Sequence, residues 1–295
     1  MSHIVEKWKA FCEWQRRPAQ PIKKSAEHHC CNTCGEEYQG NYCPQCGQSA
    51  RIGRYSFKKA LLLFLDVWGI GNRSMFRTLR DLILRPGYLI RDYISGMQMA
   101  YYPPFKLLFL LTALLLVVES GVNLKGENYL AYYYEQTVNT DSSTAEKGKQ
   151  KEITSSDQWD RTTDSHIDKI REFKKNHPAF YWLLMLFVLS LPLYLFFRKS
   201  PNIPDLRYSE LFIALVYTWG MIEIYEIVLT FFGVYNNEEE FALLLCIIPL
   251  KQLSGFKWWR SILYVILSYI AVLFILYFAL VAAAQIQIYM EALIK

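Results

Sequence analysis

Residues Pro103 to Gly121 read PPFKLLFLLTALLLVVESG, nineteen residues whose only charges are Lys106 near one end and Glu119 near the other. A helix of that length and composition can cross a hydrocarbon layer of about 30 Å, satisfying its own backbone hydrogen bonds where no water can. Lys106 can snorkel to one interface, while Glu119 reaches the other. The composition of the chain agrees: 53% hydrophobic, 16% aromatic and only 20% charged over 295 residues. That is too apolar for an ordinary water-soluble domain, and it predicts an all-α membrane protein.

Downstream, four more apolar runs follow at 179–197, 211–233, 241–256 and 262–285. The second of the five spans contains Pro192, which a membrane helix tolerates. The fourth is the shortest and carries Pro249 and Lys251. Arg198, Lys199 and Arg207 lie between the second and third spans, and Lys251, Lys257 and Arg260 between the fourth and fifth. The positive-inside rule puts both groups in the cytosol, with Trp258 and Trp259 in the inner aromatic belt. Five spans with the N-terminus in and the C-terminus out satisfy every loop. Residues 122–178 then form an extracytoplasmic loop. Its middle, 139–163, is polar and predicted flexible, and Ser165 with Asp168 starts a helix along Ile167, Ile170 and Phe173.

Upstream, residues 51–102 predict amphipathic juxtamembrane helices. The run at 57–71 carries Asp66 and is too short to span, so it is expected to lie on or dip into the bilayer. Met75, Phe76, Leu79, Leu82 and Ile83 mark one helical face; Leu89, Ile90, Tyr93, Ile94 and Met97 mark another. Pro86 and Gly87 separate the two. Arg77, Arg80, Arg85 and Arg91 are expected to meet lipid phosphate at the cytosolic interface. The alternative is that these helices pack on each other and on the ribbon as a small cytosolic domain. Residues 1–102 carry 15 Lys/Arg against 8 Asp/Glu, whereas 121–178 carry 9 against 10, as expected of opposite sides of a membrane. Residues 1–27, with Trp8, Phe11 and Trp14, read as an N-terminal surface helix and linker with no secretory h-region.

Between these parts, residues 28–50 contain Cys31, Cys34, Cys43 and Cys46 as two Cys-x-x-Cys pairs, each followed by glycine and separated by eight residues. That is the spacing of a zinc ribbon, in which four thiolates close a structural Zn²⁺ site of one ion. Gly40 between Tyr38 and Tyr42 suits a tight hairpin turn. His28, His29 and Cys30 stand just before the first pair and could compete for the metal, but only one of Cys30 and Cys31 can pair with Cys34. Knuckle-spaced thiols suit a reducing compartment. Cys31 to Gln48 has Glu36 and Glu37 but no Lys or Arg, which leaves nucleic-acid binding a minor alternative.

Together, the Cys31-x-x-Cys34-Gly35 and Cys43-Pro44-x-Cys46-Gly47-Gln48 pairs, Asn72-Arg73-Ser74, Arg77-Thr78-Leu79-x-x-Leu82, Arg85-Pro86-Gly87 through Gly96, and Tyr102-Pro103-Pro104 resemble an uncharacterised family of bacterial multi-pass membrane proteins with an N-terminal zinc ribbon. The resemblance covers roughly the first 120 residues. It implies a bacterial cytoplasmic membrane and no established activity.

In the third span, Glu223 and Glu226 share one helical face with Tyr225 beside them. Intramembrane carboxylates are a functional hypothesis by default. They can serve a proton or cation path, or they can hydrogen-bond to Tyr or Thr of other spans and fix packing. No nucleophile elbow, P-loop, dinucleotide fingerprint or helical His/Glu metal motif occurs, so there is no recognisable catalytic set. The residues therefore favour an interaction or scaffolding protein of the membrane, whose cytosolic ribbon engages a protein partner or the protein's own helices. A transporter or channel-like protein using Glu223 and Glu226 is the alternative.

Overall fold

The computed structural model describes residues 2–19, 25–31, 33–50, 73–126, 128–129, 155–233 and 238–294. The run at 57–71 lies outside the described residues. The elements are α1 (Ser2–Arg16), β1 (His28–Cys30), β2 (Glu37–Gln39), α2 (Arg73–Leu84), α3 (Pro86–Ile94), a 3₁₀ turn (Gln98–Ala100), α4 (Pro104–Glu119), α5 (Ser155–Asn176), α6 (Pro178–Phe197), α7 (Tyr208–Phe231), α8 (Glu238–Ser254) and α9 (Trp258–Ile294).

Among the described residues, four helical stretches are long and apolar enough to cross a membrane: Gln98–Glu119, Pro178–Phe197, Tyr208–Phe231 and Trp258–Met290. The expected fourth span, 241–256, overlaps α8, a helix of 17 residues, and the stretch Leu244–Ser254 within it is apolar but shorter than the four. Length and composition alone thus mark four spans; in α8, Glu238 to Glu240 occupy the first turn and Pro249 and Lys251 the last two. Along α9, Leu263, Ile266, Leu267, Ile270, Leu273, Phe274 and Phe278 are all exposed. Such a continuous apolar surface suits lipid and not water.

The most enclosed helix is α7, and two clusters of side chains meet on it. Leu193, Phe197, Leu211, Leu215, Leu250 and Val265 join α6, α7, α8 and α9. Leu82, Leu89, Ile90, Leu107, Leu111, Tyr217 and Met221 join α2, α3, α4 and α7. Helices α4 and α7 run parallel. Tyr217 donates its hydroxyl to the Tyr102 carbonyl at 2.6 Å, Thr112 Oγ1 donates to Glu223 Oε1 at 2.6 Å, and the Leu124 amide donates to the Phe231 carbonyl at 3.0 Å. These pairings climb both helices in the same direction.

One end of the bundle is rich in basic residues. At the basic end, Arg198, Lys199, Arg207, Lys251, Lys257 and Arg260 cluster in loops and helix termini. There the Asn202 amide donates to the Ser254 carbonyl at 3.1 Å, joining the α6–α7 loop to the end of α8. At the opposite end, Lys125 Nζ donates to the Gly233 carbonyl at 2.8 Å.

Helices α2 and α3 do not form a separate cytosolic domain. They pack on α7, and α3 also packs on α8. Gly87 makes this possible: a Cβ there would fall 2.4 Å from both the Pro249 carbonyl oxygen and Gln252 Cβ. Its amide instead donates to Gln252 Oε1 at 3.0 Å. Met75, Leu82, Leu89 and Ile90 are buried as their periodicity predicts, whereas Phe76 and Ile83 stay exposed.

Helix α5 begins at Ser155, so 155–163 is helical and not a flexible tract; residues 139–154 lie outside the described residues. Packing against α9 and α6 supplies the stabilisation that this polar sequence lacks alone. With 37 residues, α9 rises about 55 Å, well beyond a hydrocarbon layer, and offers α5 a surface to lie on.

Candidate metal centre and buried arginine clasp

Two nearly identical turns build the cysteine site. The Cys31 amide donates to the Glu36 carbonyl at 2.9 Å and the Gly35 amide to the Cys31 carbonyl at 2.8 Å. Twelve residues on, the Cys43 amide donates to the Gln48 carbonyl at 2.8 Å and the Gly47 amide to the Cys43 carbonyl at 3.0 Å. Gly35 (φ 76°) and Gly47 (φ 74°) both take the left-handed conformation that lets the chain turn back on the sulfurs. The repeat extends to the flanks, since the Cys30–Glu37 pair of the β1–β2 hairpin corresponds to the Tyr42–Ser49 bridge. The hairpin therefore turns through the first knuckle and not at Gly40, because the knuckle is itself the reversal.

All four Sγ atoms lie within 4.8 Å of one another. The Cys31–Cys46, Cys34–Cys43 and Cys34–Cys46 separations are 3.4, 3.5 and 3.7 Å. These are far too long for disulfides. They approach the edge of about 3.8 Å that a tetrahedron with metal–sulfur bonds of about 2.3 Å requires. Cys30 points away, its thiol facing the Gly35 carbonyl at 3.7 Å, and His28 and His29 are held in the strand.

The protonation pattern also fits a cation. Backbone amides of Cys34 and Thr33 bring the Cys31 thiol down to about 6. For Cys34 the Glu36 amide pulls the same way, but desolvation and the neighbouring sulfurs outweigh it and push the thiol up to about 12. Cys46 is raised as well; the Gln48 amide lowers it, and Cys31, desolvation and Cys43 override that. Four thiolates this close repel unless a cation stands between them. Among the described residues, the apolar support is Tyr38 and Ala50 against Cys31 and Cys43. The four cysteines are placed to bind a metal ion, which would brace so small a core.

A second constellation joins this N-terminal part to the bundle. Pro86 starts α3 and disfavours helical geometry in the residue before it, so Arg85 (φ −147°, ψ 53°) forms an elbow between α2 and α3. The elbow turns the Arg85 side chain inward, leaving it only 4% exposed. Its Nη2 pairs with Asp92 and donates to the Tyr101 hydroxyl at 3.0 Å, and its Nε lies 3.4 Å from Asp81 Oδ2. Nη1 donates to the Gln15 carbonyl at 3.1 Å and to that of Arg17. Asp92 Oδ2 in turn accepts the Ala19 amide at 3.1 Å and the Tyr101 hydroxyl at 3.2 Å. Burial alone would weaken the positive form of Arg85, but Tyr101, Asp92 and Asp81 reverse that and raise its pKa.

Arg85 and Asp92 thus clasp the strap 15–19, which leaves α1 and leads toward the cysteine module. Arg85 was expected at lipid phosphate; it is a buried ion-pair partner instead, because the elbow aims it at two carboxylates. Arg80 is exposed and pairs with Asp81 at 2.7 Å, Arg77 is half-buried, and Arg91 stacks over Tyr88 at 5.1 Å. Asp81, Asp92 and Tyr101 were not singled out in the sequence. Their signal was the placement of Asp81 and Asp92 four residues before and seven after Arg85.

In the bundle, Glu223 and Glu226 are both buried, and Tyr225 is half-buried on a neighbouring face. Glu223 Oε2 has no hydrogen-bond partner among the described residues.

A family model described as "Protein of unknown function (DUF3667)" matches residues 73–116. That segment holds Asp81, Arg85, Gly87, Asp92, Tyr101 and Thr112, so the side chains of the clasp and the α4 partner of Glu223 all lie within the matched region. Neither the curated proteins nor the solved structures give a match.

Proposed function

We propose that this protein is a scaffold of the bacterial cytoplasmic membrane, which presents a zinc-stapled module to a cytosolic protein partner. The observation that carries this reading is the cysteine cluster, a four-sulfur site in a module too small to fold on apolar contacts and fastened by backbone to the bundle. A closed Cys₄ site leaves no open coordination position for catalysis, so Zn²⁺ bound by Cys31, Cys34, Cys43 and Cys46 would brace the fold. The basic end is assigned to the cytosol by the positive-inside rule.

The path of α8 supports a fifth crossing. It starts at Glu238, shortly after the Gly233 end of α7, and finishes against Asn202 at the basic end. Its 17 residues rise about 25 Å, enough for a thin or locally compressed hydrocarbon layer. Arg77, Arg80 and Arg91 remain at the interface, within reach of lipid phosphate.

The deciding experiment is purification from gently solubilised membranes, comparing the intact chain with Cys31→Ser/Cys34→Ser for metal content and co-purifying proteins. Bound zinc, with a partner lost in the variant, is the expected result. A partner retained without metal would overturn the reading. The transport alternative rests on the unpartnered Glu223 Oε2; loss of an ion or proton flux in Glu223→Gln, with the fold intact, would favour it.

A further inference from the structure

Between the end of α1 and the exposed side of α2 lies a cleft of about 240 Å³, lined by Trp14, the strap 17–19, Arg77, Arg80, Asp81 and Arg85. Four guanidinium groups face one carboxylate. That carboxylate is already engaged, since Asp81 accepts Arg80 Nε at 2.8 Å and faces Arg85 Nε at 3.4 Å. Both Nη atoms of Arg85 are occupied by the clasp, and the residue forms the floor. Arg80 lies 6.0 Å from the centroid of the Trp14 ring, which fixes one wall. The side chains of Arg17 and Arg77 have no acidic partner among the described residues, and both line the opening.

The clasp explains why the charges converge. Arg85 draws the strap down by its carbonyls, which sets Arg17 opposite α2. On α2, residues 77, 80 and 81 fall at helical spacing on one side, and Arg85 follows just past its end. Fork-shaped donors held around a concave space suit the tetrahedral oxygens of phosphate. Apolar groups flank the cleft: Phe76 beside Arg77, and Ile4, Val5 and Trp8 farther along α1, are all exposed. A polar head bound in the cleft would leave its acyl chains against such residues.

We propose that this cleft is a binding site for a phosphate group, supplied by an anionic phospholipid headgroup, with Arg17 and Arg77 as its free cationic ligands. The proposal rests on the reading that places α2 at the membrane interface.

The test uses the full chain in detergent and native mass spectrometry to count bound dioleoyl phosphatidylglycerol against dioleoyl phosphatidylcholine. A parallel arm adds inorganic phosphate as competitor. Arg17→Gln/Arg77→Gln removes side chains that have no acidic partner among the described residues, and Arg198→Gln/Lys199→Gln removes equal charge elsewhere at the basic end. The expected result is a preference for phosphatidylglycerol that falls roughly tenfold or more in the first variant and is unchanged in the second. Competition by inorganic phosphate that disappears in Arg17→Gln/Arg77→Gln, with no lipid preference, would uphold the phosphate site but overturn the interface reading. Equal binding of both lipids without phosphate competition, or equal loss in the two variants, would overturn the site.

Discussion

Replacing Asp92 by Asn tests whether the clasp holds the N-terminal strap to the bundle. Asp92 Oδ2 serves three partners: the Arg85 guanidinium, the Tyr101 hydroxyl and the Ala19 amide. Asn keeps the shape and one acceptor oxygen, so the neutral hydrogen bonds can persist. What is lost is the charge opposite a guanidinium that is only 4% exposed. Asp81 cannot compensate, because it lies 3.4 Å from Arg85 and is shared with Arg80 at 2.7 Å. Removing one partner of a buried ion pair costs about 3–5 kcal/mol. The cheapest escape for Arg85 is to leave its pocket, releasing the Gln15 and Arg17 carbonyls. Opening of the strap should therefore rise roughly 10²- to 4 × 10³-fold. Tryptic cleavage after Arg16 in the detergent-solubilised protein reads that opening, since cleavage follows the open population when reclosing is fast. The double variant Arg85→Met/Asp92→Leu should be less unstable overall than Asp92→Asn, because it leaves no unpaired buried charge. An Asp92→Asn protein cut after Arg16 within twofold of the wild-type rate would refute the clasp.

Gly87→Ala should force α3 and α8 apart by about 1 Å, costing about 1–3 kcal/mol, and thermal unfolding in detergent should show the lowered midpoint. Metal uptake by the reduced apo protein should release protons, and retention should weaken as pH falls, because thiolates are the ligands; a pH-indicator titration with zinc measures both. Chelation should expose residues 25–50 to protease while leaving the bundle's helical circular dichroism nearly unchanged. In α4, Thr112→Val should cost about 1–3 kcal/mol by leaving buried Glu223 of α7 without its donor. Glu223→Gln keeps an acceptor for Thr112 and should unfold at a midpoint close to that of wild type.

Much of this architecture is legible because its signals are local. The helix over Pro104–Glu119 follows from an apolar run that lipid alone can solvate, and the cysteine cluster from a spacing that only a knuckle satisfies. The clasp was not legible, since a binary pattern assigns Asp81, Arg85 and Asp92 to the surface. Their burial depends on Ala19 and Gln15, some seventy residues earlier in the chain. The same holds for α3, which looked interfacial by periodicity. Its partner surface on α8 lies 165 residues away at Gln252, and nothing near Gly87 announces it. The helical start of α5 at Ser155 was hidden for a related reason: a polar segment becomes helical by leaning on α9, which is synthesised later.

The parallel pairing of α4 with α7 bears on assembly. Two adjacent helices of opposite direction can enter a bilayer together as a hairpin, but α4 and α7 cannot. Thr112 must wait until roughly a hundred further residues have been translated before Glu223 arrives, and Gly87 waits longer for Gln252. The segment 73–116, although it is the part that matches across proteins, is therefore not an autonomous folding unit. Excised, or stalled on the ribosome before α7, it would carry a polar helix face and a two-helix elbow with nothing to close against, a state that quality-control proteases can recognise.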